Sequence, residues 1–128
     1  MLGLILTAQH LQRGAWAERL AASYLEQQGC EIIERNFRSR YGELDLVALQ
    51  KTELVIVEVR YRRSIHYGRP EETVNESKQR KVVIATEYFL KRHAKYTEWP
   101  IRFDVLAISG EQAKPEIMWI NNAFDGAF

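Results

Sequence analysis

Apolar and polar positions follow two different periods along the chain, and each change of period marks a predicted element. Apolar residues recur at helical spacing over 9–28 and 72–93, which predicts two amphipathic helices, the first ended by Gly29 as a C-terminal cap. Residues 30–37, 101–109 and 116–120 have the β-branched and apolar runs typical of strands. This order of elements predicts an α/β fold.

Residues 42–63, GELDLVALQKTELVIVEVRYRR, predict two further strands joined by a turn at Lys51 and Thr52. Side chains alternate along a strand, so Glu58 and Arg60 share one face. A two-residue turn gives a register that puts Asp45 directly across from Glu58. Like charges about 4.5–5.5 Å apart at Cβ destabilise a strand pair unless positive charge lies between them. The pattern therefore predicts either a cation site or a structural ion cluster in which Arg60 neutralises both acids.

A cation at this position is predicted to be Mg²⁺ or Mn²⁺, which take oxygen ligands and keep several waters beside one or two carboxylates. Such an ion lowers the pKa of a bound water and screens the charge that develops when a phosphodiester is attacked. Arg60 could hold the scissile phosphate by two parallel hydrogen bonds.

Two further acids are predicted to need partners, and one glycine is predicted to have a backbone role. Glu18 falls on the apolar side of the first helix, where a carboxylate needs a partner, either as a third acid of the site or in a salt bridge. Asp104 is predicted to pair with an arginine. Gly42 is expected to supply the backbone freedom with which the chain enters the first strand of the hairpin.

GELDLVALQ followed by VEVRYRR resembles the D…(D/E)xK signature of the restriction-endonuclease-like superfamily, and specifically the YraN family of small uncharacterised bacterial proteins. Further matching segments are GAWAERLAASYL, NFRSRYGELDL, RYRRSIHYG, SKQRK, RFDVLAI and MWINNAF. The resemblance implies a mixed β-sheet flanked by α-helices, with an α-β-β-β-α-β core, and metal-dependent cleavage of nucleic acid.

The resemblance also implies roles for individual residues. The motif acids map onto Asp45 and Glu58, as metal ligands, and related junction-cleaving enzymes have a glutamate on the first helix, which makes Glu18 an accessory catalytic acid. The chain departs from the superfamily pattern at Arg60, where lysine is usual. Arginine stays protonated, so it can stabilise charge but cannot act as a base.

The formal net charge is only +1, but basic residues are unevenly distributed. Seven basic residues and three acids lie between Arg60 and Lys81, beside the paired acids. This pattern fits either phosphate contacts or an ordinary solvated surface. The predicted nucleic-acid contacts are Arg38, Arg40, Arg62, Arg63, Arg69, Lys78, Gln79 and Arg80. His66 and Tyr67 could stack on exposed bases, whereas packing against the sheet is favoured for Tyr61.

The 128 residues predict an N-terminal arm over 1–8 and one nuclease-like domain over 9–128. A single cysteine excludes an internal disulfide, and the opening MLGLILTA is too short to span a bilayer, so the cytoplasm is the predicted compartment. Two functions are predicted. One is a metal-dependent nuclease acting on DNA, including branched or damaged forms, and the other is a non-catalytic nucleic-acid-binding or adaptor domain with a degenerate site. A homodimer is compatible with both.

Overall fold

The computed structural model describes residues 2–63 and 74–126, with side chains from Gly14 onward. Two α-helices, α1 (Leu2–Gln27) and α2 (Glu76–Arg92), accompany five strands. The strands are β1 (Glu31–Ser39), β2 (Gly42–Gln50), β3 (Glu53–Arg62), β4 (Ile101–Ser109) and β5 (Glu116–Phe124). A short 3₁₀-helix, Ala94–Tyr96, follows α2. No helix in these described ranges is both long enough and apolar enough to cross a membrane.

The five strands form one mixed sheet in the order β1-β2-β3-β4-β5. Strands β3 and β4 are parallel, and the other three neighbouring pairs are antiparallel. Helix α2 lies between β3 and β4 in the chain, as a parallel connection requires. The α/β class and the mixed sheet flanked by helices are therefore confirmed.

Each face of the sheet is covered by one helix. The core on the α1 side includes Ala17, Ala21, Ala22, Leu25, Leu46, Ala48, Val55, Val57, Leu106 and Ile108. The core on the α2 side includes Phe37, Leu44, Val47, Leu54, Ile56, Val82, Ala85, Phe89 and Phe103. Small alanines on α1 allow the helix to approach the sheet closely. The central strands are buried on both faces, which explains why β3 and β4 read as nearly continuous apolar runs.

Three element boundaries differ from the sequence prediction by four residues or more. Helix α1 begins at Leu2 rather than at Gln9, because no proline or turn signal separates the apolar opening from the helix. Helix α2 begins at Glu76, where the side chain of Asn75 caps it by accepting a hydrogen bond from the Lys78 backbone N–H at 2.9 Å. Strand β5 continues to Phe124 because it pairs with β4 as far as Phe103.

The hairpin register is confirmed where the two strands pair. Gln50 pairs with Glu53 across a turn at Lys51 and Thr52, and the pairs continue to Leu46 and Val57. Lys51 has a φ of 56°, which a two-residue hairpin turn of the primed type requires. The predicted turn therefore sets the positions of the acids on β2 and β3.

A buried ion cluster joins β4 to its neighbours, and it confirms the predicted partner of Asp104. The Arg102 Nε donates to both Asp104 oxygens, at 3.0 and 3.1 Å. Trp119 Nε1 and the Asn122 backbone N–H also donate to Asp104, each at 2.9 Å. The Arg102 Nη1 lies 2.7 Å from a Glu53 oxygen. Both Asp104 oxygens therefore have donors, although the side chain is fully buried.

Candidate functional site

The ladder between β2 and β3 ends just before the first predicted ligand. Leu46 and Val57 form the last pair on this side, and beyond them the Asp45 Oδ2 accepts a hydrogen bond from the Val59 backbone N–H at 2.9 Å. Leu44 belongs to the α2-side core and Leu46 to the α1-side core, so the regular alternation of β2 is interrupted at Asp45. A carboxylate therefore satisfies a strand N–H that a backbone carbonyl would otherwise serve.

The second predicted ligand, Glu58, is fully buried next to Asp45. No described donor reaches either Glu58 carboxyl oxygen. Burial raises the pKa of Glu58 well above its ordinary value, and the adjacent Asp45 raises it further by its charge and by hydrogen bonding. Two carboxylates are both acceptors, so they share a hydrogen bond only while one is protonated. The structure thus brings Asp45 and Glu58 together, with a surplus of acceptor oxygens.

An open pocket of about 400 Å³ adjoins Asp45, and residues of both helices contribute to its walls. Its charged lining consists of the acids Glu18, Glu43 and Asp45 and the bases Arg60, Arg63 and Lys78. Glu58 is not part of the lining, so Asp45 is the acid of the predicted pair that meets solvent. Three of the four predicted catalytic residues, Glu18, Asp45 and Arg60, therefore line the same cavity.

Helix α1 carries Glu18 to the pocket because its small residues pack on the sheet. Ala17 and Ala21 are buried on either side of Glu18, and Trp16 makes an edge-to-face contact with Tyr61, their ring centroids 5.3 Å apart. Partial burial raises the pKa of Glu18, and the charges of Asp45 and Glu43 act in the same direction. Glu18 and Asp45 thus line the same pocket, and the charge of Arg38 also acts on Glu18, so its role as a third acid stays a prediction.

Sequence reasoning missed Asn36, whose side chain hydrogen-bonds to Glu18 and thereby opposes the rise in the Glu18 pKa. Asn36 lies in β1 with a φ of 52°, a left-handed conformation that asparagine tolerates better than most residues. Asparagine is depleted in strands. Its place near the end of the predicted strand 30–37 was the available signal of an irregularity.

Arg60 follows Glu58 by two residues on β3 and also lines the pocket. Its Nε is buried without an acceptor among the described residues. The Arg60 charge lowers the pKa of Glu58, in opposition to burial. The structural ion-pair alternative predicts hydrogen bonds from Arg60 to the two acids, and no such bond to Glu58 is present in the described part of the chain.

Helix α2 brings Lys78 to the opposite wall of the pocket. The Asn75 cap fixes the first turn of the helix, and the Lys78 charge lowers the pKa of Glu58. The two following residues have local partners instead. The Gln79 Nε2 donates to the Val74 carbonyl at 2.9 Å, and Arg80 lies 3.3 Å from a Glu76 oxygen.

The remaining predicted nucleic-acid contacts lie around the pocket or outside the described residues. Arg63 lines the pocket, and Arg62 is an exposed residue at the end of β3. Arg38 is exposed, with its Nε 3.7 Å from a Glu43 oxygen. Arg40 is exposed in the β1–β2 turn. Arg69 lies outside the described residues, as do His66 and Tyr67.

Tyr61 has the packed position that the sequence analysis favoured. Its ring contacts Trp16, and its hydroxyl donates to the Gly110 carbonyl at 3.0 Å. Tyr61 is therefore engaged with α1 and with the end of β4.

The donor set of this site is a pair of acids rather than a larger cluster. No group of three or more His, Cys, Asp or Glu side chains in the described ranges has the arrangement of a metal site. Mg²⁺ commonly uses one or two protein carboxylates and completes its coordination with waters and phosphate oxygens. The paired acids are sufficient in number and type for such an ion.

Comparison with known proteins gives the family. The model of the uncharacterised protein family UPF0102 matches residues 17–108. A UPF0102 protein of Pseudomonas fluorescens is 40% identical over 116 residues, which cover 91% of this chain and 95% of the relative. A UPF0102 protein of Rhodococcus opacus is 45% identical over 119 residues, which cover 91% of this chain and 99% of the relative. These names state no activity. The chain belongs to the UPF0102 family, which confirms the resemblance to the YraN-like bacterial proteins.

Proposed function

We propose that this protein is a metal-dependent nuclease of the restriction-endonuclease-like type that cleaves DNA. The observation that carries the proposal is the Asp45 and Glu58 pair, in which both buried Glu58 oxygens lack a described donor and Asp45 meets a pocket that Arg60, Arg63 and Lys78 also line. The core order of helices and strands fits the fold that the motif implies. Branched or damaged DNA as substrate, and a cytoplasmic location, belong to the same proposal.

The two acids fit a divalent cation by their chemistry. Carboxylate oxygens are the ligands that Mg²⁺ and Mn²⁺ prefer, and Glu58 retains acceptor oxygens that no described donor uses. Asp45 and Glu58 would hold the ion. When bound, it would supply an activated water and would screen the charge on the phosphodiester.

The chain's own residues would position the substrate. The Val59 N–H orients Asp45, so that this carboxyl keeps one direction at the edge of the pocket. Arg60 and Lys78, on different elements, can hold a phosphate from two sides of the cavity. Arg60 has a buried Nε without a described acceptor, which a phosphate oxygen would supply. Glu18 keeps its proton to a higher pH than an exposed glutamate, so it can donate a hydrogen bond or a proton near the leaving oxygen.

Cleavage of defined nucleic acids tests the proposal. Linear, nicked, flapped and four-way DNA, with RNA controls, would be incubated with Mg²⁺ or Mn²⁺ and with EDTA. We expect cleavage of at least one DNA form only with the cation present. Asp45→Asn and Glu58→Gln should each abolish it, because each removes a ligand charge. Glu98→Gln, at an exposed acid after α2, is the matched control and should retain activity.

A second candidate is a non-catalytic nucleic-acid-binding domain. The burial of Glu58 away from the pocket favours it. This acid is buried and absent from the pocket lining, so an ion would reach it only if the Asp45 and Glu58 pair opened. Titration with Mn²⁺ separates the two candidates. An absence of binding at millimolar ion, or binding that Asp45→Asn leaves undiminished, would rule out the enzyme and leave the binding domain.

A further inference from the structure

An aromatic surface lies beside the candidate site, on the α2 side of the β1–β2 turn. Tyr41, in the turn, stacks on Tyr88, in α2, with ring centroids 5.9 Å apart and an angle of 28° between the planes. Tyr41 is 50% exposed, and Tyr88 is partly exposed. We call this pair the tyrosine platform. Its two residues are remote in sequence, and neither of them lines the pocket.

Cationic side chains cover both rings of the tyrosine platform. The Arg40 Cζ lies 5.6 Å from the Tyr41 ring centroid, and the Lys91 Nζ lies 5.0 Å from that of Tyr88. Both cations are exposed, so a base that stacks on a ring can displace them toward a phosphate. From 81 to 92, α2 carries three basic residues and one acid. Aromatic faces combined with excess positive charge are the features of surfaces that bind single-stranded nucleic acid.

The tyrosine platform and the pocket share two elements. Gly42, next to Tyr41, lies against the Lys81 backbone, which joins the β1–β2 turn to α2. Glu43, one residue further along β2, already lines the pocket. On α2 the residues at 78, 81, 88 and 91 lie along one side of the helix, and Lys78 belongs to the pocket. At 1.5 Å of rise per residue, Lys78 and Tyr88 are about 15 Å apart along the axis.

We infer that the tyrosine platform binds unpaired bases of a nucleic-acid strand whose backbone continues along α2 to Lys78 and the pocket. The inference rests on the proposed function, because it names the substrate class of the same site, a single strand or a single-stranded flap. A continuous duplex keeps its bases stacked inside, so it cannot use the platform. Bases and not phosphates are therefore the groups that Tyr41 and Tyr88 recognise.

An oligonucleotide that lacks bases separates stacking from phosphate binding. Fluorescein-labelled oligodeoxythymidylate of about 12 nucleotides, within the usual site size of such surfaces, would be compared by fluorescence anisotropy with an abasic strand of equal length. EDTA excludes divalent cations throughout. We expect the wild type to bind oligodeoxythymidylate more tightly than the abasic strand. Tyr41→Ala with Tyr88→Ala should weaken oligodeoxythymidylate binding about 5- to 150-fold and leave abasic binding unchanged.

Matched variants control for folding and for charge. Tyr41→Phe with Tyr88→Phe keeps both rings and should bind as the wild type does. If the double alanine variant fails to fold, the exposed Tyr41→Ala alone should still lose part of the preference for bases. Lys95 lies 5.0 Å over the Tyr96 ring, the same geometry as Lys91 over Tyr88, but Tyr96 is buried. Lys91→Ala should therefore weaken binding more than Lys95→Ala.

Equal binding of the two strands by the wild type would overturn the inference, and so would unchanged binding by Tyr41→Ala. Because the measurement excludes divalent cations, its outcome is independent of cleavage. Base-dependent binding without cleavage of any DNA would refute the proposed nuclease function and support base binding by the tyrosine platform. Cleavage that needs Asp45, without base-dependent binding, would support the nuclease function and refute base binding by the tyrosine platform.

Discussion

Replacement of Glu58 by glutamine is expected to stabilise the protein, and the gain should grow with pH. Glu58 is fully buried without a described donor, and its pKa is raised mainly by burial and then by Asp45. Above the ordinary carboxyl pKa, the folded chain holds a proton at this residue that the unfolded chain has released. The folded state binds more protons, so stability falls as the pH rises. Glutamine has the same shape and an N–H₂ group that can donate to Asp45, and it carries no charge at any pH.

The magnitude follows from the cost of a buried polar group without a partner, about 1–3 kcal/mol and more for a charge. Glu58→Gln should therefore raise the free energy of unfolding by about 1–3 kcal/mol near pH 8, or Tm by roughly 3–15 °C in a domain of this size. Near pH 4 and below, both states of the wild type hold the proton, and the difference should disappear. The stability difference between the two proteins should thus grow from the ordinary glutamate pKa upward and stop growing above the raised pKa of the folded state.

Urea unfolding and thermal melts of both proteins between about pH 4 and pH 8 would measure this difference. Glu98→Gln, at an exposed acid, should show no comparable trend. In the wild type, Mg²⁺ or Mn²⁺ should raise Tm near pH 8 by mass action, and in Glu58→Gln the rise should be absent or much smaller. A variant that is less stable than the wild type near pH 8, or a difference that does not change with pH, would refute the reasoning.

Three further changes test other parts of the structure. A Cβ at Gly42 would lie 2.8 Å from the Lys81 carbonyl oxygen, so Gly42→Ala should cost about 1–3 kcal/mol in urea unfolding, and an unchanged midpoint would contradict the close contact. Asp104→Asn leaves the buried Arg102 guanidinium without its principal counter-charge and should cost about 3–5 kcal/mol by the same assay; a loss below about 1 kcal/mol would show that the pair is dispensable. Arg60→Gln should lower the cleavage rate about 10²–10³-fold, whereas Arg60→Lys should retain it; equal rates for both would exclude a charge-stabilising role.

The hairpin register was predictable because it depends on local chemistry. A two-residue turn at Lys51 and Thr52, together with alternation, is sufficient to fix the pairs from Gln50 and Glu53 to Leu46 and Val57, after which Asp45 and Glu58 are the next residues on their strands. The pairing itself stops at Leu46 and Val57, and this could not be predicted, because it depends on which core receives each neighbouring side chain. The sequence therefore indicates the partners at the site, and tertiary packing determines their geometry.

The sequence pattern could not predict contacts between residues that are distant in sequence. Gly42 was expected to supply backbone freedom, but it has no positive φ and instead allows α2 to approach the β1–β2 turn. Tyr41 and Tyr88 meet through that same approach. Tyr41 lies in the matching segment NFRSRYGELDL but was given no role there, Tyr88 lies in none of the matching segments, and each one alone looks like an ordinary surface aromatic. The aromatic residues that the sequence did suggest for base stacking, His66 and Tyr67, lie outside the described residues.

Two buried acids on neighbouring strands show that the hydrogen-bond partners of an acid indicate its role better than its burial does. Glu58 and Asp104 are both fully buried, on the adjacent strands β3 and β4, where Asp104 pairs with the residue next to Glu58. Asp104 accepts hydrogen bonds from Arg102, Trp119 and the Asn122 backbone, so its charge serves the fold. Glu58 has no described donor and lies against a second acid. The fold satisfies the buried Asp104 and leaves the buried Glu58 without a described donor, which costs free energy at Glu58. A ligand from outside the chain would recover that free energy by binding there. The divalent cation of the proposed function would be such a ligand, since it would replace the proton that the pair otherwise needs.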